Sequence, residues 1–166
     1  HLANNPNIHR PDMIKKLMAL LLMASLLTGC QAEQKKMLSI TGYNYTNRYI
    51  DRFSVNGQGG GNVLLSEDDA GGGKTSCCIV LRSDQELPVK VYVEWTYGYE
   101  KDFDTGRLLR AAETRRAEVD LTGPIPKDPT IFAVHFYPDN TVQVEVAADY
   151  PKARILRTTP ITADPT

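Results

Sequence analysis

From Val89 to Tyr97 apolar and polar side chains alternate without a break. Val89, Val91, Val93, Trp95 and Tyr97 share one face, and Lys90, Tyr92, Glu94 and Thr96 the other. A period of two over nine residues predicts a strand with one face turned to a core. Residues 38–46, rich in Ile, Tyr and Thr, and residues 50–55 are read as strands by composition, and Asn56-Gly57 after them is a strong hairpin turn signal. Gly59-Gly60-Gly61-Asn62 is expected to extend that turn into a flexible loop. Residues 63–66 would be a short strand, ahead of an acidic, glycine-rich loop over 67–73. Residues 76–81 are apolar on both faces, the pattern of a central strand covered on both sides.

Further along, 107–121 supports two patterns. Leu108, Leu109, Ala111 and Ala112 suit a helical turn, whereas Ala117, Val119 and Leu121 alternate. The reading is a strand from about Arg115, preceded by an irregular or short helical piece. Gly123-Pro124-Ile125-Pro126 and Pro129 force an extended connection. Residues 130–137 and 141–147 then form a hairpin across Pro138-Asp139-Asn140, with Val142, Val144 and Val146 facing inward. After Tyr150 no core pattern remains, so 151–166 reads as an irregular tail. Six to eight short strands with Gly/Pro-rich turns predict an all-β fold, a small antiparallel β-sandwich or a strongly curved sheet.

The first thirty residues follow another logic. Met13-Ile14-Lys15-Lys16 is a positive start, and 17–27 is apolar apart from Ser25. A spanning helix needs roughly twenty residues, so this shorter run reads as the core of a secretory signal. Leu27-Thr28-Gly29-Cys30 closes it and resembles the lipobox of bacterial lipoproteins. The resemblance implies cleavage before Cys30 and acylation of its thiol; an ordinary signal with an incidental cysteine is the alternative. Gln31 rather than Asp follows, which by the same resemblance favours transfer to the outer membrane, periplasmic face. Residues 1–12 are then an upstream extension, 13–29 the signal peptide, 30–37 a lipidated tether and 38–150 the β domain. Setting aside Arg10, Lys15, Lys16 and Asp12 leaves 16 basic and 19 acidic residues, a net charge of −3. That balance carries no nucleic-acid footprint.

Few residues suggest chemistry. Gly71-Gly72-Gly73-Lys74-Thr75 looks like the end of a phosphate loop, but Asp68 stands where the motif needs its first glycine. Adjacent Cys77 and Cys78 point to opposite faces of a strand, so buried free thiols are the main expectation and a vicinal disulfide the alternative. Neither they nor His135 have metal-ligand spacing, and no metal or cofactor is expected. His135, the single histidine after Cys30, lies in an apolar strand. Asp139 follows it by four residues across a turn, so a structural role is expected and no catalytic residue is assigned. Loop residues Tyr97 to Asp104 interleave aromatic and charged side chains. Tyr99, Asp102, Phe103 and Asp104 are therefore the expected partner contacts, with Glu67, Asp68 and Asp69 as a secondary site. The alternative has Tyr97 facing inward and Phe103 capping the core.

Gly42-Tyr43-Asn44-Tyr45-Thr46, Phe53-Ser54-Val55-Asn56-Gly57, Gly59-Gly60-Gly61-Asn62, Gly71-Gly72-Gly73 and Cys77-Cys78 together resemble a family of bacterial lipoproteins first classed as a domain of unknown function. The resemblance continues through 91–95 and His135-Phe136-Tyr137-Pro138. It implies an immunity protein that binds and neutralises a type VI secretion phospholipase effector in the periplasm. Its partners would be that protein and, through the lipid, the membrane. Two other readings stand beside it: an envelope lipoprotein stacking glycan on Tyr43, Tyr45, Tyr92 and Tyr99, and an enzyme using His135.

Overall fold

The computed structural model describes residues 35–67, 70–82 and 84–155. In chain order its strands are β1 (Lys35–Asn44), β2 (Ile50–Val55), β3 (Gln58–Val63), β4 (Ser76–Arg82), β5 (Val89–Tyr97), β6 (Glu100–Lys101), β7 (Leu108–Arg110), β8 (Glu113–Leu121), β9 (Ile131–Phe136) and β10 (Val142–Ala147). One sheet runs β10-β9-β1-β4 and the other β3-β2-β5-β8, while β6 and β7 form a separate two-stranded hairpin. The two larger sheets face each other across one core and also meet at their margins, β10 against β8 and β3 against β1 and β4. The fold is all-β and sandwich-like. Its pairings are antiparallel except one: β1 runs parallel to β9, Tyr43 beside His135.

Alternation sets which side chains enter the core. Val91, Val93, Trp95 and Tyr97 of β5 are buried, as their shared face requires, and Leu38, Ile40, Phe132, Val134 and Phe136 meet them from the opposite sheet. Trp95 packs against Phe136 with ring centroids 5.5 Å apart, and Phe136 meets Phe53 edge-on at 5.3 Å. Burying each such side chain stabilises the fold by about 1.5–3 kcal/mol. The β2–β3 turn has Asn56 at φ 49° and Gly57 at φ 83°, the paired positive angles of a tight hairpin. The hairpin at 137–141 also forms as expected, with Val142 and Val146 buried.

Several expectations are corrected. The glycines at 59–61 are not a loop but half of β3, and the Phe53 ring lies across Gly60: a Cβ there would come within 2.0 Å of it. Val63 ends that strand, and Leu64 to Ser66 continue without strand structure. The expected central strand at 76–81 is an edge strand, with Cys77 and Val80 exposed. No helical turn precedes β8. Residues 108–110 pair with 100–101 instead, and β8 begins at Glu113.

Cys77 and Cys78 are not free thiols; they form a vicinal disulfide across a cis peptide. The alternation argument fails there because the β1–β4 register breaks: Leu38 faces Ile79 and Ile40 faces Ser76. Ser39 alone thus stands opposite both cysteines, a bulge that takes them out of regular strand geometry.

Candidate functional site

Two groups of polar and aromatic side chains stand out from the scaffold. The first lies on the outer face of the β10-β9-β1-β4 sheet. Tyr43 and Tyr45 come from β1 and the loop after it, His135 from β9 and Glu145 from β10, all outward because the alternate positions fill the core. Residues 148–155 cross this face as a strap. Tyr43 Oη donates to the Pro151 carbonyl, the Arg154 backbone N–H donates to Tyr45 Oη (2.8 Å), and Ala153 packs on the Tyr43, Tyr45, Ile131 and Ala133 cluster. Of the tail expected over 151–166, residues 151–155 are described; they form no strand or helix, and they bind this face.

Beneath the strap His135 is fully buried. Its Nδ1 lies 2.9 Å from Tyr45 Oη and its Nε2 2.7 Å from Glu145 Oε1. Glu145 is itself paired with the Arg154 guanidinium at 3.0 Å. Burial, reinforced by the charge of Arg154, pushes the His135 pKa down to about 4 against the pull of Glu145. The imidazole is therefore neutral at pH 7. The contacts assign its tautomer: Nε2–H donates to Glu145, and Nδ1 accepts from the Tyr45 hydroxyl. Burial likewise raises the Tyr43 phenol to about 12. Hydroxyl, imidazole and carboxylate stand in the order of an acyl-transfer triad. Here, though, the hydroxyl is buried and accepts from Arg154, so the chain of contacts fastens the strap. Asp139 does not meet His135; its Oδ1 accepts from the Thr141 N–H at 3.0 Å and from the Thr141 hydroxyl at 2.6 Å.

The second group is the β6–β7 hairpin. Tyr99 is 63% exposed and Phe103 is 105% exposed, and Leu108 and Leu109 are each more than half exposed. Tyr97 does face inward, but Phe103 does not cap the core. Arg48 fixes the base of the hairpin. Its guanidinium bonds Glu113 Oε2 (2.9 Å), the Gly98 carbonyl (3.2 Å) and the Ala111 carbonyl (2.8 Å), and it lies over the Tyr97 ring at 4.8 Å. The turn is held by Asp102, whose Oδ1 accepts from the N–H and hydroxyl of Thr105, both at 2.7 Å, and from the Asp104 N–H. Those donors hold the Asp102 carboxyl below its usual pKa. Of the expected contacts, then, Tyr99, Phe103 and Asp104 present side chains outward, while the Asp102 carboxylate organises the turn.

Glu67 is exposed and bonded through its backbone to Ala70. Asp68, Asp69 and Cys30 lie outside the described residues. Tyr43 and Tyr45 are buried, so the four tyrosines proposed for glycan form no common platform; Tyr92 and Tyr99 alone of them are exposed. The Gly71-Gly72-Gly73 backbone is wedged between β1 and β3, with Asn44 N–H on the Gly71 carbonyl and Leu64 N–H on that of Gly72. Among the described residues no His, Cys, Asp and Glu side chains cluster as a metal site would require, and no helix is long and apolar enough to cross a membrane.

Such a molecule belongs to the class of small β-sandwich domains that present a braced apolar hairpin. The chain is a member of the family described as "Protein of unknown function (DUF3304)", whose match runs over residues 43–144. That span contains the hairpin and His135 but neither Glu145 nor Arg154. No curated protein and no solved structure matches the chain.

Sequence reasoning missed Arg48, Leu108, Leu109, Glu145 and Arg154. For Glu145 a signal was present, since the period of two over 142–147 sets it opposite the inward valines. Arg48 and Arg154 lie in irregular segments, where no periodicity assigns a direction.

Proposed function

We propose that this chain is an immunity lipoprotein that binds a type VI secretion phospholipase effector in the periplasm and blocks it, with Cys30 acylated to hold the domain at the membrane, on the outer-membrane side. The observation that carries the reading is the β6–β7 hairpin. An isolated two-stranded hairpin is marginally stable in water, yet this one displays Tyr99, Phe103, Leu108 and Leu109 to solvent while Arg48 braces its base. Rigid, aromatic, partner-free surface on a scaffold is what a stoichiometric binder requires. The lipobox resemblance and the glycine and asparagine signature supply the partner. A phospholipase delivered to the periplasm attacks membrane lipid, so an antidote is best placed at that membrane.

The test is co-expression. A phospholipase gene beside this one, expressed with export to the periplasm, is expected to kill cells, and the full lipoprotein to rescue them. Equal killing with and without it would refute the reading.

A further inference from the structure

A disulfide stabilises a fold chiefly through the chain entropy it removes from the unfolded state, and that contribution grows with the length of the loop it closes. Cys77 and Cys78 are neighbours in sequence, so their bond closes the shortest loop a chain can form. Nor does it brace the core. It lies on β4, at the margin of the β10-β9-β1-β4 sheet, with Cys77 exposed and Cys78 half-buried, while Ile79 and Leu81 beyond it pack inward. A cross-link that staples no long stretch and fills no core is there for its chemistry, and exposed sulfur is where thiol exchange takes place.

The surroundings suit that exchange. Met37 and Val80 stand opposite each other in the β1–β4 register and are 67% and 54% exposed. With Val80 just beyond Cys78 on the same strand, they set apolar surface beside the pair, on which another protein can rest while its thiolate reaches Cys77. The strand on either side is held by groups other than sulfur. Gln58 Nε2 donates to the Cys78 carbonyl at 3.2 Å, the Thr75 and Tyr150 hydroxyls share a bond at 2.6 Å, and Ile79 pairs with Leu38. β4 therefore keeps its place when the bond opens.

We infer that Cys77–Cys78 is a redox site that accepts electrons from a partner protein bearing two thiols. A thiolate of the partner attacks the exposed Cys77 Sγ. The new bond joins the partner's sulfur to Cys77, the Cys77–Cys78 bond breaks, and Cys78 leaves as a thiolate that takes up a proton. The partner's second thiol, deprotonated, then attacks the partner's own sulfur in this mixed disulfide and expels Cys77, which is protonated in turn. Two electrons and two protons have passed to the cysteine pair, and the partner departs as a disulfide.

The experiment uses the full lipoprotein in detergent. Dithiothreitol is expected to reduce the folded pair at a rate within about tenfold of that in urea, because access to the sulfur governs the rate. The reduced chain should stay folded, with its melting transition retained. The protein probe is thioredoxin with its second cysteine replaced by serine, which cannot complete the second step. It should accumulate as a one-to-one mixed disulfide on Cys77, located by fragmenting the peptide between the two cysteines. Reduction roughly a hundredfold slower in the folded chain than in urea would mean that the fold shelters the bond. Loss of the fold on reduction would make the bond a structural staple. A thioredoxin adduct that fails to form, or forms on Cys78 alone, would remove the protein dithiol as the electron donor to Cys77. Each of these three results overturns the proposal.

Discussion

Folded, His135 stays neutral down to a pH near 4, while in the unfolded chain it takes up a proton below about 6.5. Its pKa is lowered on folding, so its contribution to stability is complete above 6.5 and is lost as pH falls towards the folded value. Each pH unit in that window removes up to about 1.4 kcal/mol. Protonation at Nδ1 would also turn the Tyr45 contact around, leaving the Tyr45 hydroxyl proton without its acceptor while Arg154 N–H still occupies the oxygen. Urea unfolding between pH 7 and 5 should show this slope, and His135→Gln should flatten it. An unchanged slope in the variant would assign it to other groups. Gly72 offers a second test at this scale. Its φ is +85°, and a Cβ would come within 2.0 Å of the Leu64 carbonyl oxygen. Gly72→Ala is expected to destabilise by about 2 kcal/mol or more, read as a lowered urea midpoint. The sequence showed that His135 lay in an apolar strand, but not that Glu145 and Arg154 would close over it. That closure depends on a ten-residue separation in one case and on an irregular strap in the other, and neither has a periodic signature.

The strand with unbroken alternation was legible from end to end: β5 begins and stops where the pattern does. Failures cluster where local pattern and tertiary position disagree. Residues 76–81 are apolar on both faces, yet they form a margin of the sheet, and the bulge at Cys77-Cys78 breaks the register that the alternation argument assumed. Leu108 and Leu109 looked like helix material because exposed apolar residues mimic a buried face. The hairpin they belong to is braced at its base by a long-range group, Arg48, which no local pattern announces. Removing that brace by Arg48→Ala should speed hydrogen exchange at the Asp102 and Gly106 amides, which bond across the turn, and lower stability by about 1–3 kcal/mol. Arg48→Lys should restore little, since one ammonium cannot bond Glu113, Gly98 and Ala111 in a fixed fork. Exchange rates unchanged in Arg48→Ala would mean that the hairpin holds itself. The disulfide is checked more simply: alkylation of the unreduced, denatured chain should leave Cys77 and Cys78 unlabelled, and prior reduction should label both.

At the scale of the whole molecule, the all-β class followed from the count of short strands and turns, and the family match covers most of the sandwich. The single parallel pairing of β1 with β9 was not legible, because nothing in either strand's composition distinguishes a parallel neighbour. Localisation tests the anchor alone: Cys30→Ala should lose acylation and leave the detergent phase, and unchanged partitioning would contradict the lipobox reading. The central claim is stoichiometric neutralisation, and the most direct measurement is titration of the purified phospholipase with the full lipoprotein while phospholipid hydrolysis is followed. The account predicts that activity falls linearly and vanishes at one lipoprotein per enzyme. Hydrolysis that continues undiminished past several equivalents would contradict it.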